Sequence, residues 1–218
     1  MIYLDDTGFE KIEVVEGAAF MFAGRGDRVQ EWKHWLRTNP TSPEHQPTET
    51  KGMSVCVVSK ATGTVIMSVG DYHVHEVSHF AGSGRDHARG CWIKNRDALK
   101  CVETAKSKDI YSGGEVKYFS VKDSKHNLYP SAPVTIQMVN NALHTRGLVM
   151  SINDTTATPS AVPFKMAAAN DAGLEEFGQK IANGEIAPSA PFDGMDRDWT
   201  AAEKKGFHDA LANVFGWK

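Results

Sequence analysis

Residues 71–79, DYHVHEVSH, hold an aspartate and three histidines close together. Read as one strand from Tyr72 to Phe80, the segment sends Asp71, His73, His75 and His79 to the same face, because side chains alternate along extended backbone. Imidazoles two residues apart, with a third nitrogen or a carboxylate, make a zinc or iron site. A metal held there would activate water for hydrolysis. The competing reading is a polar sheet face at the surface or at a subunit interface. Ser54 is a second candidate. Cleavage before it would leave a serine hydroxyl beside its own free amine, the pairing an N-terminal nucleophile needs. Lys60 or Asp71 would then supply the remaining roles.

Lys11 to Val15 and Ala18 to Ala23, parted by Glu16-Gly17, read as a strand hairpin. Val29, Trp32 and Leu36 follow at helical spacing, predicting a helix over Asp27 to Arg37. Met53 to Ser59 and Thr64 to Val69 form a second hairpin, with Ser54 near its start. Beyond Gly82-Ser83-Gly84, the positions Ala88, Cys91, Trp92, Leu99, Val102 and Ala105 keep a helical period from Asp86 to Lys108. Gly90 and Asn95 weaken its middle, which favours two short helices. Ser112-Gly113-Gly114 stops this stretch, and Glu115 to Val121 alternates like a strand. After Lys122, prolines cut the chain into short pieces. Helices are predicted around Val134 to His144 and Leu174 to Asn183, with a strand around Leu148 to Ile152. Thr200-x-x-Glu203 is a capping box that opens a C-terminal helix through Phe207, Leu211 and Phe215.

At 218 residues the chain can bury a full core without disulfides or a structural metal. A net charge of -3 and a pI near 6.3 give no bulk attraction to nucleic acid or to an anionic membrane. No apolar run approaches the roughly 20 residues of a spanning helix. Cys56, Cys91 and Cys101 are an odd count without metal-type spacing, and reduced core thiols in a cytoplasmic protein are the expectation.

The order of these motifs carries a resemblance. Phe80 to Val121, FAGSGRDHARGCWIKNRDALKCVETAKSKDIYSGGEVKYFSV, runs strand end, Gly-Ser-Gly turn, helical stretch, Ser-Gly-Gly turn and strand. GFEKIEVVEGAAFMFAGRGDRVQEWKHWL and SVCVVSKATGTVIMSVGD precede it. Together, from about Gly8 to Val121, they resemble the core of the proteasome β-subunit and HslV family of N-terminal-nucleophile hydrolases. The resemblance implies an α/β (α+β) fold of antiparallel sheets layered with helices over residues 1–122. Residues 123–218 would be a C-terminal extension ending in a helix. It also implies that Ser83, Asp109 and Ser112 support the nucleophile's position from behind.

The chain departs from the family where its chemistry should begin. It opens Met1-Ile2-Tyr3, with no counterpart of the strands that carry the nucleophilic threonine, and the interval from Gly84 to Ser112 is short. The resemblance therefore implies a catalytically inactive homologue that acts by self-assembly into homo-oligomers or by binding a protein partner. The alternative is an active hydrolase. It would be a peptidase or amidohydrolase whose nucleophile is exposed by processing, or a metal-dependent enzyme using His73, His75 and His79. Neither nucleic acid nor membrane is expected as a partner.

Overall fold

A computed structural model describes residues 1–38, 41–129, 134–151, 161–186, 189 and 193–217. The first half contains β1 (Ile2–Tyr3), β2 (Ile12–Val14), β3 (Ala18–Gly24), α1 (Gly26–Arg37), β4 (Met53–Ser59), β5 (Val65–Val69), β6 (His73–His75), β7 (Ser78–Phe80), α2 (Arg85–Asn95) and α3 (Ala98–Lys108). The second half contains α4 (Ile136–Arg146), β8 (Leu148–Val149), β9 (Val162–Pro163), α5 (Phe164–Ala168), α6 (Ala172–Ala182), a 3-10 turn (Asp193–Asp196) and α7 (Ala201–Phe215). The architecture is α+β, and every paired strand is antiparallel. No helix among the described residues is long and apolar enough to cross a membrane.

The chain divides into two units, Met1–Phe9 with Ala132–Pro188 and Glu10–Ser131 with Ser189–Lys218. This division differs from the break near residue 122 that composition suggested. The C-terminal segment returns to the large unit through apolar packing that local sequence does not reveal. Trp199 Nε1 donates to the Met53 carbonyl at 2.7 Å, and Phe207 stacks edge-on against Trp32 with ring centres 5.2 Å apart. The expected capping box is present, with Glu203 N donating to Thr200 Oγ1 and Thr200 N donating to Glu203 Oε2.

The large unit is built on a four-stranded sheet of order β2-β3-β4-β5. Its interior strand β4, MSVCVVS, is apolar and β-branched on both faces and buried along nearly its whole length. Val29, Trp32, Trp35 and Leu36 of α1, together with Phe207 and Leu211 of α7, complete this core. Burying one such side chain contributes about 1.5–3 kcal/mol. In the small unit, Val139 and Leu143 of α4 meet Ile181 of α6, with Ile2, Leu4 and Phe9 packed against them. The strand predicted around Leu148 is only two residues long, and Ile152 lies outside the described residues.

Two predicted strands are corrected. Tyr72 to Phe80 is not one strand but the hairpin β6–β7, pairing His73 with Phe80, Val74 with His79 and His75 with Ser78. The chain reverses at Glu76, whose φ of 55° lies in the left-handed region. Glu76-Val77 has none of the Gly, Asn or Asp residues that ordinarily announce a two-residue turn, which hides the reversal from sequence. Glu115 to Val121 forms no strand beyond a single bridge between Phe119 and His126. There the Asn127 side chain accepts from Tyr118 N at 2.9 Å and donates to the Val116 carbonyl at 2.8 Å. Those backbone groups are taken by an amide instead of by a neighbouring strand.

Candidate functional site

Helices α2 and α3 have 11 residues each and are joined by Arg96 and Asp97. Arg96 adopts the left-handed conformation at the end of α2, and the Asp97 side chain caps α3 by accepting from Lys100 N at 3.1 Å. At 1.5 Å per residue the chain goes out about 16 Å and comes back the same distance. The turn before α2 therefore meets the turn after α3. This return brings Ser83, Asp109 and Ser112 together, the three residues to which the resemblance assigns a supporting role.

Ser112 Oγ donates to Asp109 Oδ2 at 2.7 Å, and the nearby Ser83 hydroxyl also favours the charged form of this carboxylate. Tyr111 N donates to the other oxygen at 3.1 Å. Burial by itself would raise the Asp109 pKa. The two hydroxyls, the Tyr111 amide and nearby His87 outweigh it and hold the carboxyl below its ordinary value. Gly84 permits the close approach. A Cβ there would lie 2.8 Å from Ala105 Cβ and 3.0 Å from Ser112 Oγ.

The cluster borders a cleft of about 340 Å³ that is also lined by Phe22, Gly24, His79, Arg85 and Lys11. Lys11 enters it because Phe22 N donates to the Lys11 carbonyl at 2.7 Å, which sets the two strands in register. Its Nζ donates to the Gly24 carbonyl at 3.1 Å. The surrounding protein lowers the Lys11 pKa by desolvation, although the side chain keeps contact with solvent through the open cleft. Sequence reasoning passes over this lysine, since one cation at a strand edge carries no spacing signal. The only available hint was its place at the head of the first hairpin.

The histidine segment behaves differently. The hairpin turns His73 and His75 to one face and His79 to the other, so the common ligand face expected for Asp71, His73, His75 and His79 does not form. Each side chain has gone elsewhere. His73 Nδ1 lies 2.8 Å from Asp86 Oδ1, His75 Nε2 lies 3.7 Å from Glu76 Oε1, and Asp71 is ion-paired with Arg85. His79 lines the cleft with a buried Nδ1 that has no hydrogen-bond partner, and burial lowers its pKa. Among the described residues, no group of three or more histidines, cysteines or carboxylates could hold a metal ion.

Ser54 is 2% exposed in the sheet interior, paired with Ala23, and its Oγ accepts from Asp71 N at 2.9 Å. That bond anchors the start of the histidine hairpin to the sheet. Gly70 makes it reachable. With φ at 97°, a Cβ there would lie 2.6 Å from Ser54 Oγ. Lys60 is bound to the Val15 carbonyl at 3.0 Å. Ser54 is thus bonded to the Asp71 backbone, the Asp71 carboxylate is paired with Arg85, and Lys60 is held apart from both at Val15.

Comparison with protein-family models, with characterised proteins and with solved structures finds no match for this chain.

Proposed function

We propose that this chain is a proteasome β/HslV-like protein that performs no hydrolysis itself and works through self-assembly or by binding a protein partner. The observation that carries this reading is the convergence of Ser83, Asp109 and Ser112 on one another at the edge of a cleft lined by the two serines. In that family's order of turns, these positions support a nucleophile from behind. In this chain they support one another. Both hydroxyls engage a carboxylate whose pKa is lowered, and a weaker base is poorly suited to take a proton from serine. The arrangement positions a turn.

Self-association is supported by apolar side chains left open on the helical hairpin. Leu99 and Val102, one turn apart on α3, are 48% and 44% exposed, and Ile110 beyond the helix end is 59% exposed. Apolar surface of this kind marks contact sites when it is contiguous. The three free cysteines suit a reducing compartment such as the cytoplasm.

A second reading, an active hydrolase, is favoured by Lys11 alone. A lysine with a lowered pKa in a cleft can act as a base. Incubation with a panel of short peptide amides and with an acylating peptide electrophile, read by intact mass, separates the two. No turnover and no adduct are expected. A stoichiometric acyl adduct, or turnover abolished by Lys11→Met, would replace the first reading with the second.

A further inference from the structure

Cys91 and Cys101 are five residues before and five residues after Arg96, the left-handed residue at the turn between α2 and α3. In an antiparallel helical hairpin, positions equally far from the turn lie level with each other. Their thiols are close enough that each shifts the acidity of the other. Both are free and buried. We propose that Cys91 and Cys101 form a peroxide-oxidisable dithiol, which closes to an intramolecular disulfide between α2 and α3.

The two sulfurs have unequal surroundings, and this sets the order of events. Cys91 keeps 9% of its surface open, against 2% for Cys101. The Thr104 hydroxyl, the Cys101 thiol and the Asn95 amide, which donates at 3.3 Å, all favour a Cys91 thiolate and lower its pKa. Cys101 is pushed the other way, to about 11, by burial and then by the Cys91 sulfur beside it. Thiolate character and access together make Cys91 the attacking sulfur.

In the first step the Cys91 thiolate attacks one oxygen of hydrogen peroxide. The O–O bond breaks, a sulfenic acid forms, and hydroxide leaves and is protonated by solvent. Cys91 then no longer carries the charge that raised the Cys101 pKa. In the second step Cys101 gives its proton to solvent and attacks the Cys91 sulfur. The S–S bond forms, the S–O bond breaks, and hydroxide leaves and takes a proton from solvent to become water. One hydrogen peroxide is reduced, and two thiols are oxidised.

The bond would join two helices whose far ends hold Ser83 and Asp109. The inference does not depend on the function proposed above. Cys56 is a built-in control, since it is 3% exposed in β4 and burial raises its thiol to about 12. The test is titration of the reduced full chain with hydrogen peroxide, followed by intact mass, alkylation after unfolding and peptide mapping. The expected result is a loss of two hydrogens, one remaining alkylatable thiol at Cys56, and a Cys91–Cys101 cross-linked peptide. In Cys101→Ser, a 1,3-diketone should trap a sulfenic acid at Cys91. In Cys91→Ser, the first oxidation should slow at least about tenfold. Three thiols surviving excess peroxide, oxygen adducts first at Cys101, or cross-links only between chains would overturn the proposal.

Discussion

The turns flanking α2 and α3 and the hairpin β6–β7 both contribute to the wall of one cleft, yet only the first gathers its polar groups into a set. Ser83, Asp109 and Ser112 meet because two helices of equal length bring the chain back to its starting point. His73, His75 and His79 part because a reversal at Glu76 sends the last of them to the opposite face. Closeness in sequence failed where separation by more than twenty residues succeeded. Side-chain grouping is a property of what lies between the residues, and rigid helices transmit register that a short extended segment does not.

The comparison can be broken hardest at its anchor. Gly70→Ala forces a side chain into left-handed backbone against Ser54, so a loss of about 3 kcal/mol in urea unfolding is expected. If Gly70→Ala is neutral, the hairpin is not pinned to the sheet as described. Gly84→Ala tests the other region. Its Cβ would press on Ala105 and Ser112, for an expected loss of about 1–3 kcal/mol by the same measurement.

Asp109→Asn should remove about 1–2 kcal/mol at neutral pH by weakening the bonds to both hydroxyls and to Tyr111 N. It should also change the acid response. The Asp109 pKa is depressed below 3.8, so the carboxylate contributes stability above that pH, and the contribution is lost as pH falls through the lower folded value. Between about pH 5 and pH 3, the native protein should therefore lose more stability than Asp109→Asn. Parallel acid profiles would show that the carboxylate holds nothing together. The smallest effect belongs to the histidines. His73→Ala combined with His75→Ala should shift stability by no more than about 0.5 kcal/mol and leave metal content unchanged. A drop in bound zinc or iron in that variant would restore the ligand face that the hairpin removes.

Much of the turn cluster was legible because Gly82-Ser83-Gly84 and Ser112-Gly113-Gly114 mark where the helical pattern starts and stops. The break into two helices was legible too, although it falls at Arg96-Asp97 and leaves Gly90 inside α2. Thr200 and Glu203 announced α7 through their own spacing, but which unit α7 joins depends on Trp199 reaching Met53, a contact 146 residues apart. The hairpin at Glu76 was hidden because Glu76-Val77 lacks the Gly, Asn or Asp of an ordinary two-residue turn. Lys11 was hidden because its surroundings come from a backbone bond to Phe22 and from the Gly24 carbonyl that its Nζ reaches. Ser54 reads as a strand serine that processing would expose, and its bond to Asp71 N depends on the positive φ of Gly70.

Self-assembly without hydrolysis is tested most directly by native mass spectrometry of the full chain at micromolar concentration, alongside Leu99→Asp. A closed homo-oligomer of unmodified subunits is expected, shifted toward monomer by the substitution. A spectrum of monomer alone, in the absence of any added partner protein, would contradict the self-assembly reading.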